Sequence, residues 1–376
     1  MVGGFEDDAV RTKDTKQQVF FSYKSIEDRI PKDHPIRALK KLVDEALEKM
    51  SKDFGRLYSH TGRPSIPPEQ LLRALLIQIF FSVRSERQLV EQLDYNMMFR
   101  WFVGLNLDDD IWDATTFTKN RDRLLEGEIA ERFFAEVLAM AKMQGLVSHE
   151  HFTVDGTIIE AWASQKSFQR KKETSSDDDD TPPSGSGKGR NPDVNYRGEK
   201  RRNDTHESKT DPDARLCRKG QQTGAQLGYM GHALMENRNG LVVDVRVTHA
   251  VGKSEHSAAA SMASAIRGKH RVTLGGDKGY DSDDLLDELR NMGVTPHIAK
   301  NDHERRTSSI DNRTTRHEGY HVSQKKRKLV EQIFGWGKTV GSLRKMKHRG
   351  LDLVKSITTM NLAAYNLIRI RNLMMT

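Results

Sequence analysis

Three acids in this chain stand at positions where a carboxylate is costly unless something compensates it. Asp155 lies in the middle of the strand-like run HFTVDGTIIEAWAS, Asp277 follows the strand-like RVTLGG, and Glu331 lies inside the helical run KKRKLVEQIFGWGK. Burial strips a carboxylate of water, so Asp155, between Val154 and Ile158, needs a partner. A hard divalent cation is one: Mg2+ takes oxygen ligands, keeps several waters and binds through a few carboxylates plus phosphate. Each acid alone also reads as a turn, cap or surface residue, and spacing leaves both readings open.

Bases accompany the third acid. At about 100° per residue, Arg327, four before Glu331, and Lys338, seven after it, project from roughly one helix face. Such a face suits a site that grips metal and DNA phosphate. The plain alternative is a surface Arg327–Glu331 pair worth about a few tenths of a kcal/mol. The chain carries a formal charge of +8, yet from Lys300 to Arg349 fourteen Lys and Arg face five Asp and Glu, a balance of +9 that leaves the remainder at −1. Charge concentrated in this way is the footprint of a polyphosphate partner, or else a solvated basic face.

Other constellations carry less. GKS at Gly252 to Ser254 and GKT at Gly337 to Thr339 look like P-loop fragments, but Val247 and Gln332 stand where the leading glycine belongs, so neither should bind nucleotide. His249, His256, His297, His303, His317 and His321 lack zinc-type spacing and are expected to meet phosphate or solvent. Asp281, Asp283 and Asp284 read as acids capping a helix, and Asp177 to Asp180 as a solvated linker. Glu304 and Glu318 compete with Glu331 only from a polar loop, and Trp336 reads as a core anchor. The one cysteine, Cys217, excludes a disulfide framework and a zinc site built on several thiolates. The most apolar stretch, Leu71 to Phe81, is interrupted by Arg73 and Gln78 and falls far short of the roughly 20 residues of a membrane span. The opening MVGGFEDDAV carries acid where a signal peptide needs base, so the expected compartment is the cytoplasm, with nucleoid association.

These residues need a frame. Up to Ser148 the periodicity predicts helices over Pro35–Lys52, Pro68–Phe81, Ser85–Tyr95, Met97–Leu105, Ala114–Leu124 and Ile129–Met143. From Glu150 the pattern changes to a strand around Asp155 and a hairpin of Gln226–Glu236 with Leu241–His249 across Asn237-Arg238-Asn239-Gly240. A helix (Ser254–Ile266), a strand (Arg271–Gly275), a helix (Asp281–Asn291), a strand (Val294–Ile298), a helix (Gln324–Lys338) and a C-terminal helix (Leu351–Met375) follow. That order predicts an α+β fold with a central mixed sheet. The polar stretch of about 165–224 lacks apolar periodicity and is expected to be partly disordered. The expected division is a helical region at 1–148, a catalytic domain at 149–350 and a C-terminal helix at 351–376 packing on the core.

Read together, TVDGT around Asp155, GGDKGYDS around Asp277 and the Arg-x3-Glu-x6-Lys spacing of Arg327, Glu331 and Lys338 resemble bacterial insertion-sequence transposases of the DDE class. GHALMENRNGLVVDVRVTHA, TDPDARL and the helical segment from Arg63 to about Leu125 are similar to the group numbered insertion-sequence family five. The resemblance implies an RNase H-like mixed-sheet catalytic domain preceded by an all-helical DNA-binding domain. It implies Asp155, Asp277 and Glu331 as the catalytic, metal-binding triad, with Arg327 and Lys338 on phosphate. Lys278, Lys325, Lys326, Lys328, Arg344 and Lys347 are the further expected DNA contacts. Also implied are two Mg2+ ions, with Mn2+ able to substitute, acting on terminal inverted repeats and target DNA without ATP, by a homodimer or larger assembly on paired ends. Gln324 stands where this group usually has tyrosine. The rival readings are an inactive, transposase-derived DNA-binding protein and a Mg2+-dependent nuclease.

Overall fold

Apolar residues recur at helical spacing along the first third of the chain, and most helices there start at a side chain that accepts an otherwise orphaned backbone N–H. The computed structural model describes residues 24–57, 65–171, 194–196, 199–218, 224–266, 271–302 and 307–375, with 57, 194–196 and 199–200 as backbone alone. Helices α1 (Ile26–Arg29), α2 (Pro35–Lys49), α5 (Glu86–Tyr95), α6 (Met97–Val103) and α7 (Ala114–Glu126) are capped by Ser25, His34, Ser85, Asn96 and Asp113. Between and after them lie α3 (Ser51–Leu57), α4 (Pro68–Phe80) and α8 (Ile129–Met143). The helix expected over Pro35–Lys52 ends earlier, at Lys49, and α3 follows it as a separate turn of chain.

The sheet region then runs β1 (His151–Ala161), β2 (Phe168–Arg170), β3 (Val194–Tyr196), β4 (Glu199–Arg201), β5 (His206–Ser208), β6 (Arg215–Cys217), β7 (Gln226–Glu236) and β8 (Val242–His249). After α9 (Ser254–Ser264) come β9 (Val272–Gly276), α10 (Asp283–Asn291), β10 (Val294–Ile298), α11 (Asn312–Thr315), α12 (Glu318–Arg327), α13 (Leu329–Thr339), β11 (Lys345–Met346) and α14 (Leu351–Met374). Strands β1, β7 and β8 form an antiparallel meander, and β9 and β10 are added parallel to β1 on its other edge. The order β10-β9-β1-β7-β8, with helices between the added strands, is that of an RNase H-like α+β fold.

The hairpin between β7 and β8 is held by a buried acid. Glu236 accepts the N–H groups of Asn239 (2.7 Å) and Arg238 (3.0 Å), while Gly240 takes the left-handed conformation (φ 73°) that the turn requires. Within the polar stretch, β5 pairs with β2, and Arg201 donates to the carbonyls of Gln165 and Phe168.

Side chains alternate across a sheet, which sorts β1 into two sets. Phe152 and Val154 pack with Ala259, Met262, Leu285 and Leu289 of α9 and α10. Ile159 and Ala161 join a second cluster with Ile333, Ile357, Leu367 and the N-terminal helices. Helix α14 carries apolar residues nearly all round, so it is buried on several sides. It packs on β7 and β8 below and on α2, α4, α7 and α8 above, and Asn366 bonds both backbone groups of Val242. The N-terminal helices therefore share one continuous apolar core with the sheet.

Candidate active site

Asp155 and Asp277 are held by neighbouring parallel strands. β1 and β9 pair Phe152 with Leu274 and Thr153 with Gly275; continued by two residues, that register sets Asp155 beside Asp277. Residues opposite one another point to the same sheet face, so both carboxylates leave on one side. Gly275 keeps the strands close, since a β-carbon there would sit 3.0 Å from Thr153 Oγ1. On this edge β1 next meets a strand at Glu160 and Ala161, where β11 joins it. Asp155 thus faces a gap in the ladder at the carboxyl end of β9, the crevice in which open α/β sheets place ligands.

Local backbone fixes each acid. Asp155 Oδ1 accepts the Gly156 N–H at 2.8 Å, and Asp277 Oδ1 accepts the Gly279 N–H at 2.8 Å, capping the short turn Lys278–Tyr280. The Asp155 carboxyl is lifted to about 7, chiefly by burial and also by the charges of Asp277 and Glu255, against the pull of the Gly156 N–H and the Arg327 guanidinium. Two acids and one base thus act on Asp155.

Arg327 reaches this place because α12 is pinned to β10. Tyr320 Oη donates to Ile298 O (3.0 Å), the His297 ring bonds Ser323 Oγ (2.7 Å), and Gln324 Nε2 donates to the His297 carbonyl. Gln324, the departure from the family pattern, is therefore a docking residue. Burial pushes the His297 imidazole down to about 4, which keeps it neutral beside Arg327's helix.

The single helix expected over Gln324–Lys338 is two helices broken at Lys328, so Arg327 ends α12 while Glu331 and Lys338 belong to α13. The charge order explains the break. Lys325, Lys326 and Arg327 suit a helix C-terminus and Glu331 suits the first turn of the next. Lys328 itself keeps helical dihedrals (φ −60°, ψ −18°), and Arg327 and Glu331 form no ion pair. Glu331 is exposed and stands outside the set of charges that act most on Asp155. Among the described residues no group of three or more His, Cys, Asp or Glu side chains is arranged to hold a metal ion.

One acid at the site was not singled out by sequence. Glu255, on the first turn of α9, lies so close over β1 that a β-carbon on Gly156 would meet its Oε1 at 2.9 Å. The glycine after Asp155 thus makes room for Glu255 on the face that α9 covers, opposite the Asp155 side chain, from where its charge still acts on Asp155. Its signal in the sequence, an acid opening a helix, is what any helix start favours.

The chain matches the family model described as Transposase DDE domain over residues 149–367, and that described as Transposase domain (DUF772) over residues 24–123. It belongs to the DDE transposases. Among solved structures, a piggyBac transposase synaptic complex with hairpin DNA aligns with 89% of this chain and 74% of its own at 9% identity and a TM-score of 0.41. A Mos1 transposase paired-end complex with left transposon end aligns with 80% and 89% at 13% identity and a TM-score of 0.19. A Mos1 mariner paired-end complex with Mn aligns with 85% and 100% at 14% identity and a TM-score of 0.20. No curated protein matches.

In this DDE transposase the expected DNA contacts Lys278, Lys325, Lys326, Lys328, Arg344 and Lys347 are all exposed, while Arg327 and Lys338 are half-buried. Asp281 does not cap α10, whose N-cap is Ser282; its buried carboxylate accepts the N–H groups of Asn301 (2.8 Å) and Ser309 (3.2 Å) and ties down the loop after β10. TDPDARL is an anchor for α14. Asp211, fully buried, accepts the Tyr229 hydroxyl (2.6 Å) and the Gly350 N–H (3.2 Å), and Asp213 accepts the Leu351 N–H (3.0 Å). His249 bonds the Asp213 carbonyl and His256 the Gly279 carbonyl, both at 2.9 Å. Trp336 packs edge-on against Tyr365, within the core. Asp177 to Asp180, His303 and Glu304 lie outside the described residues. Among the described residues no helix is long and apolar enough to cross a membrane.

Proposed function

We propose that this DDE transposase, of the insertion-sequence family five group, cleaves DNA at element ends and joins the freed 3′-OH to target DNA. The observation that supports the reading best is the register of Asp155 with Asp277 and the delivery of Arg327 to the same crevice. The donor set fits a divalent metal. Two hard carboxylates face one crevice, one of them lifted to about 7 by burial and by its acidic neighbours, and such a pair favours a cation. Asp155 and Asp277 would hold it, with Glu331 as the third ligand on the strength of the family resemblance. Few protein ligands suffice for Mg2+ when phosphate and water supply the rest. When bound, Mg2+ or Mn2+ supplies Lewis acidity toward the phosphate oxygens.

The chain's own residues do the remainder. Arg327 places a fixed positive charge beside the acid pair, where a scissile phosphate would otherwise be repelled. The exposed bases Lys325, Lys326 and Lys328 continue that charge outward and hold backbone. Exchange of one phosphodiester for another needs no ATP, in keeping with the missing P-loop glycines. Two DNA ends and a target call for at least two copies of the chain. Incubating the purified protein with candidate terminal DNA and Mg2+, and mapping nicked and joined strands, tests this. Joined products are expected; nicks alone point to a nuclease, and binding without nicks to an inactive derivative.

A further inference from the structure

We propose that Trp162 is a stacking platform for an unpaired DNA base, an assignment that rests on the DNA-processing reading above. β1 ends at Ala161, and the next residue, Trp162, is 47% exposed. Lys345 Nζ and Lys347 Nζ stand 5.4 and 5.7 Å from its ring centroid. Both lysines come from the segment of β11, which pairs with β1 at Glu160 and Ala161, so indole and ammonium groups share one rigid frame with Asp155. Lys345 is steadied by Glu160 (2.6 Å) and Lys347 by the Arg84 carbonyl of the N-terminal helical region.

The other tryptophans are committed elsewhere. Trp112 stacks on Phe117, Trp336 meets Tyr365, and Trp101, though crossed by Arg37 and Lys40, bonds Glu27 and borders Asp44, Glu45 and Glu48. The bases around that ring, Lys41 among them, are offset by acids. Trp162 instead leaves about half its surface to solvent, with the two ammonium groups over its ring, and Arg344 and Arg349 extend that charge in the same segment. An aromatic face with flanking cations is what holds single-stranded nucleic acid: the backbone meets the charges and a base meets the ring. Trp162 follows Asp155 by seven residues of extended chain, roughly 23 Å at ~3.3 Å per residue. That is about seven base-pair steps of duplex at ~3.4 Å each, so the unstacked base lies well away from the reacting phosphate.

The test compares affinities of wild-type protein, Trp162→Ala and Trp162→Phe for oligothymidylate and for a blunt mixed-sequence duplex, with circular dichroism confirming folding. Trp162→Ala is expected to weaken oligothymidylate binding about tenfold, duplex binding clearly less, and Trp162→Phe to keep most of the affinity. No loss, an equal loss on both DNAs, or an equal loss in both variants overturns the platform. Asp277→Ala is assayed alongside for cleavage: persistent cleavage there sinks the catalytic reading and leaves the stacking result standing by itself.

Discussion

Asp155 on β1 and Asp277, the residue after β9, stand two residues beyond the Thr153–Gly275 pair of these parallel strands, close enough for the Asp277 charge to raise the Asp155 carboxyl. Their closeness has a thermodynamic signature. Burial and the neighbouring acids hold the Asp155 carboxyl at about 7, whereas an unfolded aspartate titrates near 3.8. Between those values the folded chain binds more protons than the unfolded one, so this group's contribution to stability falls as pH rises from about 4 to about 7. Asp155→Asn removes that loss. In chelator, the variant should gain over wild type on the order of 2–4 kcal/mol at pH 8 and almost nothing at pH 4. Chemical denaturation across pH measures the difference, and a gap that does not change with pH contradicts the assignment.

A cation bound at the pair stabilises the fold by mass action. At about one hundred times its dissociation constant Mg2+ should raise unfolding free energy by roughly 2.7 kcal/mol. The rise should vanish in the double variant Asp155→Asn, Asp277→Asn. Thermal melts with Mg2+, Mn2+ and chelator read this, and an equal rise in both proteins places the metal elsewhere.

The break at Lys328 presents three lysines to solvent beside Arg327. Replacing Lys325, Lys326 and Lys328 with alanine should flatten the salt dependence of duplex binding by up to about three charges' worth, at ~0.9 per phosphate contact. Fluorescence anisotropy over a salt series gives the slope. An unchanged slope means that this helix end does not touch the backbone.

Asp211 supports α14 from the stretch expected to be partly disordered. Its replacement by alanine leaves the buried Tyr229 hydroxyl and the Gly350 N–H without their acceptor, and should cost about 3 kcal/mol. Burial and the Asp211 carboxylate also push the Tyr229 phenol above its ordinary range, so Tyr229→Phe should cost less than the loss of the acid. Equal costs would show that the hydroxyl, and not the helix start, is what Asp211 serves.

Much of the frame was legible because periodicity, caps and hairpin signals agree along the chain. The strand holding Asp155, the hairpin closed by Asn239-Gly240 and the helices of the first third appear where their patterns put them, save that the helix from Pro35 ends early, at Lys49. What the sequence left dark depends on distant partners. Nothing local says that Glu255 overlies Gly156, that Asp281 ties down a loop twenty residues on, or that Asp211 and Asp213 receive the start of α14. The interruption at Lys328 in the helix over Gln324–Lys338 is hard to see because apolar spacing continues through it and the backbone there stays helical.

The central claim is that Asp155, Asp277 and Glu331 act together on DNA. The most direct measurement is Mg2+-dependent cleavage of an end-containing DNA by wild type, Asp277→Ala and Glu331→Gln, with binding of the same DNA measured in parallel. Both variants should lose cleavage by about a thousandfold or more while binding stays within a few-fold of wild type. Undiminished cleavage by Asp277→Ala would contradict the acid pair, and undiminished cleavage by Glu331→Gln alone would move the third ligand elsewhere.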